Sequence, residues 1–342
     1  MRTEKPTAEN SQDSGLLNSE NSSQHPAVSQ PARPLFHPIF RPALRSAYQS
    51  RYRSQSGSDK LRAWYDDVHD NSKLAYALQD VKTRYGNTRV AVAGLPDGEP
   101  LVFLHGWSGN GMLWELTGSL HALARQYRIY LVDVIGQPNN SSLQTPPIRG
   151  NGYGFWLGDV LDQLALERVT GVGMSFGAFL WVKAAQVMPE RIRRVVFLGP
   201  AGFTGLRLTP RTALAFGRAI LKPSARNTDH FVRTNILGPQ DQFPPGVQRK
   251  IAEMFQCSFQ GFKPGAQLPY VFAPSELAAL RFPSLFLCGE SDALFDARAV
   301  LHRAQKQVPG LVAAEVLPGL GHALGNSDLV VSRIERFLAD GC

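Results

Sequence analysis

Cysteine is scarce in this chain: its 342 residues include only Cys257, Cys288 and Cys342. None of the three forms a CxxC pair or has a histidine at metal-ligand spacing, which argues against a disulfide framework and a structural zinc site. Uninterrupted apolar runs stay well below the roughly 18 to 20 residues that span a bilayer. The N-terminus also lacks the charged region and apolar run of a secretory signal. We therefore expect a soluble, cytoplasmic protein with reduced thiols.

Cofactor-binding motifs are missing as well. No P-loop occurs, and Gly171-Val172-Gly173 lacks the third glycine of a dinucleotide-binding fingerprint. No cluster of His, Cys, Asp and Glu has the spacing of a metal site. The sequence therefore predicts an activity that needs neither a cofactor nor a metal ion.

The excess of basic residues is concentrated near the N-terminus. Lysine and arginine number 36 against 28 aspartates and glutamates, a net charge of +8, and residues 1–62 hold nine of the former and five of the latter. This region contains an arginine cluster with interleaved aromatic residues: Phe40, Arg41, Arg45, Tyr48, Arg51, Tyr52 and Arg53. Such a cluster fits weak association with an anionic surface. Without a recognisable binding module, however, a solvated arm is the simpler interpretation, and we expect no nucleic-acid binding.

Amino-acid composition and the spacing of apolar residues divide the chain into regions. Residues 1–35 are rich in Ser, Gln, Asn and Pro, which predicts disorder, and we assign residues 1–58 to a disordered, basic arm. Leu61, Trp64, Tyr65 and Val68 then lie at helical spacing and predict a helix that packs on the main body. Alternating residues on both sides of Gly86-Asn87 predict an antiparallel hairpin.

From there, apolar runs of strand type alternate with helical stretches. The runs cover residues 101–104, 129–134, 169–172, 195–198, 285–288 and 312–317. This alternation predicts an α/β fold with a mostly parallel, twisted sheet and helices on both faces. Residues 203–279 interrupt it without a strand run, and we interpret them as a helical lid over the carboxyl ends of the sheet. The core then comprises residues 59–202 and 280–342.

The run that ends at Val172 leads into Gly173-Met174-Ser175-Phe176-Gly177 and then into a predicted helix over residues 178–187. This is the G-x-S-x-G pattern in a strand–turn–helix context. Glycines two before and two after the serine let the strand and the helix approach closely. The turn presents the Ser175 hydroxyl at a helix N-terminus, where backbone N–H groups favour negative charge. Ser175 is therefore a candidate nucleophile.

A serine nucleophile needs a base and an acid that orients the base. Asp292 lies just past the run 285–288, and His322 lies on a glycine-rich loop after the last predicted strand. Alone, Asp292 also fits a turn or cap residue, and His322 also fits an ordinary loop histidine. Their position with Ser175 at the carboxyl ends of strands, where ligands bind in such sheets, favours a catalytic triad.

An oxyanion hole completes this type of site. The strand 101–104 ends in the glycine-rich turn His105-Gly106-Trp107, which can direct backbone N–H groups at a developing oxyanion. We expect the donors to be the N–H groups of Trp107 and Phe176. His105 and Asp133 also follow strands, and we interpret both as structural.

Residues 78–340 resemble the α/β-hydrolase superfamily. The resemblance is carried by His105-Gly106-Trp107, the Ser175 turn, Asp292 and the glycine-rich loop before His322. Shorter stretches, at residues 83–88, 133–136 and 189–192, resemble bacterial carboxylesterase-like members. The resemblance implies Ser175 as nucleophile, His322 as base, Asp292 as its acid partner, and Trp107 and Phe176 as oxyanion donors. Serine at the centre of the motif argues against haloalkane dehalogenases and epoxide hydrolases, which use aspartate there.

These features together predict a serine hydrolase that cleaves carboxylic esters through an acyl-enzyme. Because the base must be neutral, activity should rise from about pH 6 to about pH 7.5, where histidine normally loses its proton. Lid and loop aromatic residues suggest a small to medium, uncharged, hydrophobic ester: Trp107, Phe176, Phe216, Phe231, Phe255, Phe259 and Phe262.

Several alternative functions remain open. They are carbon–carbon bond hydrolysis, cofactor-free perhydrolase or haloperoxidase chemistry, non-catalytic ligand binding and partner binding through the arginine cluster. The oligomeric state is left open.

Overall fold

The computed structural model describes residues 51–339, except residues 117, 119, 208, 244–245, 264, 266 and 325–327. The strands in this part of the chain are β1 (Ala77–Thr83), β2 (Gly86–Gly94), β3 (Glu99–Leu104), β4 (Tyr127–Val132), β5 (Val169–Met174), β6 (Ile192–Leu198), β7 (Ser284–Gly289) and β8 (Leu311–Leu317). They form one sheet in the order β1-β2-β4-β3-β5-β6-β7-β8. The pairs β1–β2 and β2–β4 are antiparallel, and every later pair is parallel. The predicted, mostly parallel sheet is confirmed.

The α-helices of the same part of the chain are α1 (Gln55–Asp70), α2 (Leu113–Leu116), α3 (Leu120–Leu123), α4 (Gly152–Gln163), α5 (Phe176–Ala185), α6 (Pro210–Leu221), α7 (Ala225–Phe231), α8 (Val247–Gly261), α9 (Pro274–Leu277), α10 (Ala297–Gln307) and α11 (Asp328–Ala339). A 3-10 turn (Pro189–Arg191) precedes β6, and a π-helical turn (Val232–Ile236) follows α7. None of the helices in the described part of the chain is long and apolar enough to cross a membrane.

Side-chain alternation along β3 shows how the sheet is covered. Leu101 and Phe103 belong to the core that contains Trp64 of α1. Val102 and Leu104 belong to the opposite core, which contains Trp156 of α4. Successive side chains of a strand point to opposite faces, so this strand is buried on both sides. Helices therefore cover both faces of the sheet, as predicted.

The helix α1 confirms the prediction from its apolar spacing: Leu61, Trp64, Tyr65 and Val68 are all buried. It begins after Ser54, whose side chain accepts a hydrogen bond from the Gly57 N–H at 3.1 Å, a typical N-cap. Its first four residues fall within the predicted arm of residues 1–58. Residues 1–50 of that arm lie outside the described residues.

The last residues of the predicted arm contact the core. The Arg51 guanidinium donates a hydrogen bond to the carbonyl of Gly136 at 2.8 Å, and the Tyr52 hydroxyl donates one to the carbonyl of Asn139 at 2.8 Å. Tyr52 also forms an isolated antiparallel bridge with Phe262. These two members of the arginine cluster are thus used for packing. Phe40, Arg41, Arg45 and Tyr48 lie outside the described residues.

The hairpin is confirmed, but its predicted turn is wrong by two residues. Thr83 pairs with Gly86, so Arg84 and Tyr85 form the tip. Gly86 follows with a φ of 101°, in the range that favours glycine. The glycine therefore occupies the position directly after the tip, as in hairpins whose loop ends in a G1 bulge.

Residues 203–279, hereafter the helical segment, carry α6 to α9 and contain no named strand among their described residues. Their own apolar cluster includes Phe231 and Ile251, and Trp107 from the loop after β3 packs against it. The helix α8 also packs against α1, where a Cβ on Gly57 would lie 2.7 Å from the Cα of Gly261. The segment is thus attached both to α1 and to the loop that carries Trp107.

Two cysteines lie in the described part of the chain. Cys257 is on α8 and partly exposed, whereas Cys288 is buried in β7, and both are free thiols. Burial raises the pKa of both thiols above the ordinary cysteine value, so neither is activated as a nucleophile.

Candidate active site

Ser175 occupies the turn between β5 and α5 in a strained conformation, with φ 52° and ψ −108°. A Cβ on Gly173 would lie 2.6 Å from the Ala178 nitrogen, and one on Gly177 would lie 1.9 Å from the Leu104 carbonyl oxygen. Both glycines are therefore required by the close approach of backbone segments, as the motif predicts. The Ser175 N–H is held by the carbonyl of Leu198 at 2.9 Å, which fixes the turn to the end of β6.

Asp292 and His322 form a buried pair beyond the ends of β7 and β8. The distance from His322 Nδ1 to Asp292 Oδ2 is 2.8 Å. The other carboxylate oxygen of Asp292 accepts hydrogen bonds from the N–H groups of Leu294 at 2.7 Å and Phe295 at 3.0 Å. Because a carboxylate only accepts, His322 donates from Nδ1, which leaves Nε2 as the basic nitrogen.

The end of β6 brings the pair and the serine to one place. Gly199 follows directly after Leu198, the residue that holds the Ser175 N–H. A Cβ on Gly199 would lie 3.3 Å from His322 Nδ1 and 3.5 Å from Asp292 Oδ2. Ser175, Asp292 and His322 therefore meet at the carboxyl edge of the sheet, around the end of β6.

The loop after β3 lies against the serine. A Cβ on Gly106 would lie 3.7 Å from the Ser175 Cβ. Among the hydrogen bonds of the described residues, the N–H groups of Trp107 and Phe176 have no protein acceptor. These two backbone donors, one in the loop beside the serine and one directly after it, are available to an external acceptor.

Gln137 orients this loop and was missed by the sequence analysis. Its side-chain oxygen accepts the Ser108 N–H at 2.8 Å, and the Ser108 hydroxyl lies 2.6 Å from that of Ser258 on α8. The loop that carries Trp107 is thus fixed to the core on one side and to the helical segment on the other. Gln137 lies in a loop without periodic pattern, so no sequence signal marked it.

The hydrogen bonds of His105 and Asp133 agree with the interpretation of both as structural residues. His105 Nδ1 lies 2.8 Å from the Gly106 carbonyl, and its Nε2 accepts the Val134 N–H at 3.0 Å. Burial lowers the pKa of His105 to about 4, so the ring is neutral. Asp133 accepts the N–H groups of Gly111 at 2.7 Å and Asn140 at 3.2 Å, and burial raises its pKa to about 7.

Asp241, also missed by the sequence analysis, ties the helical segment to the His322 loop. One carboxylate oxygen accepts the N–H of Gly238 at 2.7 Å and the N–H of Gly321 at 3.0 Å. Burial raises the pKa of Asp241. A second tie runs from the Ala323 N–H to the Ile236 carbonyl at 2.9 Å. An isolated aspartate in a segment without periodic pattern gives no signal of such a long-range role.

The aromatic residues expected around a substrate fall into three groups. Phe216, Phe231, Phe255 and Phe259 pack together in the helical segment, and the Trp107 ring lies 6.5 Å from that of Phe216. Phe176 is different: its ring is fully buried and stacks on Phe179 in the core. Phe262 pairs with Tyr52 instead. The expectation that Phe176 and Phe262 line a substrate site is therefore wrong, because other packing contacts cover both rings.

No group of three or more His, Cys, Asp or Glu side chains in the described part of the chain is placed to hold a metal ion.

A family model described as "alpha/beta hydrolase fold" matches residues 99–325, a span that includes Trp107, Ser175, Asp292 and His322. The chain belongs to the α/β-hydrolase fold family. The resemblance stated from sequence motifs is thereby confirmed. The match begins at β3, so α1 and the hairpin of this α/β hydrolase lie before it.

Two curated relatives come from Bacillus subtilis (strain 168). The protein named "Uncharacterized carboxylesterase nap" is 32% identical over 272 residues, which cover 75% of this chain and 85% of the relative. "Carboxylesterase YbfK" is 29% identical over 271 residues, which cover 76% of this chain and 87% of the relative. Among solved structures, that of naproxen esterase (carboxylesterase NP) from Bacillus subtilis aligns with a TM-score of 0.71 and 27% identity, covering 84% of this α/β hydrolase and 99% of that chain. The similarity therefore extends over most of the chain.

Proposed function

We propose that this α/β hydrolase is a serine carboxylesterase that cleaves uncharged, hydrophobic esters of small to medium size. The observation that carries the proposal is the buried His322–Asp292 pair, 2.8 Å apart, at the sheet edge where the strained turn presents Ser175. Carboxylesterase activity is also what the names of the two Bacillus relatives state. The serine, the basic nitrogen of His322 and the backbone donors together supply the parts that acyl transfer requires.

In the acylation step, His322 Nε2 removes the proton of the Ser175 hydroxyl while Ser175 Oγ attacks the ester carbonyl carbon. The N–H groups of Trp107 and Phe176 stabilise the oxyanion of the tetrahedral intermediate. Asp292 holds the imidazole ring and stabilises its cationic form. The intermediate then collapses: the bond to the alcohol oxygen breaks, and His322 gives its proton to the leaving alcohol.

Deacylation repeats the sequence with water. His322 removes a proton from a water molecule, whose oxygen attacks the acyl-enzyme carbonyl carbon. The bond to Ser175 Oγ breaks, and the proton returns to the serine, so that a carboxylic acid is released. Since a protonated His322 cannot accept the proton, turnover falls in acid.

We propose that the helical segment is a lid that supplies the apolar wall of the substrate site. Support comes from the contact between Trp107, beside Ser175, and Phe216 of α6. Phe231, Phe255 and Phe259 pack behind this contact and support the wall from within the segment. Apolar side chains of this kind bind an uncharged acyl or aryl group by excluding water from it.

Hydrolysis of p-nitrophenyl esters with short to long acyl chains tests the proposal, using the wild type and Ser175→Ala. We expect turnover by the wild type and a loss of at least about 1,000-fold in kcat for the variant, because the nucleophile is absent. The preferred acyl length measures the pocket. Absence of turnover on every ester, together with no labelling of Ser175 by a fluorophosphonate probe, would refute the proposal and favour a non-catalytic ligand-binding protein.

Location and partners remain predictions. We propose a cytoplasmic protein that acts on small-molecule esters and does not bind nucleic acid, on the basis of its few cysteines and the absence of a nucleic-acid-binding motif. Fractionation of cells that produce the full chain tests the location. Recovery in an extracytoplasmic fraction contradicts it.

A further inference from the structure

One face of α6 combines exposed leucine and arginine side chains. Leu214 is 53% exposed and Leu221 is 83% exposed. At about 100° per residue, positions seven apart lie within about 20° of each other, so the two leucines form one stripe. Arg211 and Arg218, also seven apart and exposed, form a second stripe beside it. The opposite side of α6, with Thr212, Ala215 and Ala219, is buried.

Basic residues dominate the sequence of α6 and of the turn that follows it. Between Glu190 and Asp229 the sequence contains no acidic residue. Lys222 and Arg226 follow the two arginines and are exposed as well. None of these four basic side chains forms an ion pair with an acidic residue in the described part of the chain. The charges are therefore available to an external partner.

We propose that this face of α6, hereafter the α6 face, docks on the surface of a membrane that contains anionic lipids. The leucine stripe inserts among the lipid chains, while Arg211, Arg218, Lys222 and Arg226 contact the headgroups, the division of labour typical of interfacial amphipathic helices. A second copy of the chain is a poor occupant of this face, because two such faces would bring basic side chains against each other. An anionic membrane surface can accommodate both the leucine stripe and the arginine stripe.

The position of α6 links membrane docking to the active site. Phe216, on the inner side of the same helix, contacts the Trp107 ring of the loop beside Ser175. Membrane contact therefore acts on the element that covers the active site, and apolar esters dissolved in the bilayer reach it without crossing water. This consequence rests on the proposed esterase function, whereas the docking itself does not and is measured without turnover.

Co-sedimentation of the full chain with sucrose-loaded vesicles tests the docking. We use vesicles of phosphatidylcholine alone and vesicles with about 30% phosphatidylglycerol, at low and high salt. The wild type should bind the anionic vesicles, bind pure phosphatidylcholine at least tenfold more weakly, and be released by salt, which screens surface charge. Leu214→Ser with Leu221→Ser should weaken binding at least tenfold. Arg211→Gln with Arg218→Gln should weaken it about 25-fold, or about fivefold per charge.

Matched controls place the same substitutions elsewhere. Leu268 and Val312 are 65% and 55% exposed, and Arg125 and Lys306 are exposed basic residues. Leu268→Ser with Val312→Ser, and Arg125→Gln with Lys306→Gln, should bind like the wild type. The thermal unfolding of every variant is compared with that of the wild type to establish that each is folded.

The outcomes separate the possible causes. If the α6 variants bind as tightly as the wild type, the basic N-terminal arm or another surface is responsible and the proposal is overturned. It is also overturned if the wild type binds neither vesicle, or if Leu221→Ser instead abolishes self-association measured by sedimentation velocity. A chain that docks on vesicles but hydrolyses no ester keeps the docking and refutes only the proposed function.

Discussion

Ser175, the proposed nucleophile, has an unfavourable backbone conformation. Its φ of 52° and ψ of −108° lie where a residue with a Cβ is strained, and such residues cost about 1 to 3 kcal/mol each. The hydrogen bonds of its N–H to Leu198 and of its carbonyl to the Ala201 and Phe179 N–H groups hold it there. The strain therefore persists because the surrounding structure over-determines the turn.

Ser175→Gly should relieve this strain. The variant Ser175→Ala also lacks the hydroxyl but keeps the Cβ. Relative to that variant, we expect the free energy of unfolding of Ser175→Gly to be higher by about 1 kcal/mol. The relief of strain is larger than this, but the greater backbone entropy of glycine in the unfolded chain offsets part of it. Urea unfolding of the two variants measures the difference, and neither should hydrolyse esters. A glycine variant that is no more stable than the alanine variant contradicts the strain.

At this scale the sequence revealed the proposed triad but few of the residues that position it. Ser175, Asp292 and His322 stand at strand ends in recognisable motifs, so topology alone brings them to one edge. Gln137 and Asp241 act through single hydrogen bonds to loops distant in sequence. Nothing in their neighbourhood distinguishes such residues from ordinary polar loop residues before the loops are folded together.

At the scale of elements, the contact between α5 and β3 depends on a glycine. A helix normally gains about 1 kcal/mol from alanine in place of glycine. At Gly177, however, the added Cβ would lie 1.9 Å from the Leu104 carbonyl oxygen, and backbone at the end of a buried strand cannot move away easily. Helix propensity therefore favours alanine at position 177, whereas packing against β3 disfavours it.

Gly177→Ala should destabilise the protein and displace the loop that begins at His105. We expect a loss of roughly 2 kcal/mol in the free energy of unfolding, as for other overpacked sites, and at least a tenfold loss of kcat/KM in the p-nitrophenyl assay. The matched control is Gly158→Ala on α4, where the nearest atom to the added Cβ is the Met188 sulfur at 3.5 Å. That variant should be as stable as the wild type or slightly more so, and equal losses at both positions contradict the argument.

The elements themselves were largely predictable, with errors where local signals compete. Each predicted strand run corresponds to a strand of the sheet, because buried strands have continuous apolar sequences. The hairpin turn was wrong because Gly86-Asn87 also fits the tip of a two-residue loop. The start of α1 fell inside the predicted arm because its first turn, after Ser54, is polar and only the later turns show the apolar spacing.

At the scale of the whole molecule, α1 connects the sheet to the helical segment. Trp64 packs in the core on one face of the sheet, and its indole N–H donates to the Lys250 carbonyl of α8 at 3.0 Å. Asp67 forms an ion pair with Lys250. Since the family match covers residues 99–325, α1 lies outside the matched span and the α8 residue to which it is attached lies inside it.

Two buried titratable groups give the stability of the whole fold opposing dependences on pH. Asp133, with its pKa raised to about 7, keeps its proton in the folded state at pH values where the unfolded chain has lost it. Stability from this group is present at low pH and is lost as the pH rises to about 7. His105, with its pKa lowered to about 4, acts in the other sense, because the unfolded chain gains a proton first as the pH falls.

Asp133→Asn should separate the two effects. Because the asparagine does not titrate, the stability of the wild type relative to the variant should decrease by on the order of 1 kcal/mol per pH unit between about pH 4.5 and 6.5. Above about pH 8 the difference should be constant. Urea unfolding of both proteins at four pH values measures it. A difference that does not change over this range would show that Asp133 is already ionised in the folded protein.

The position of Cys257 allows the helical segment to be labelled at one site. It is a partly exposed thiol on α8, within the helical segment, whereas Cys288 is buried. Once Cys342 is replaced by serine, a polarity-sensitive fluorophore attached through a maleimide should label α8 alone. The emission of that fluorophore would then follow movement of the segment in solution, in real time and without any change to Ser175, Asp292 or His322.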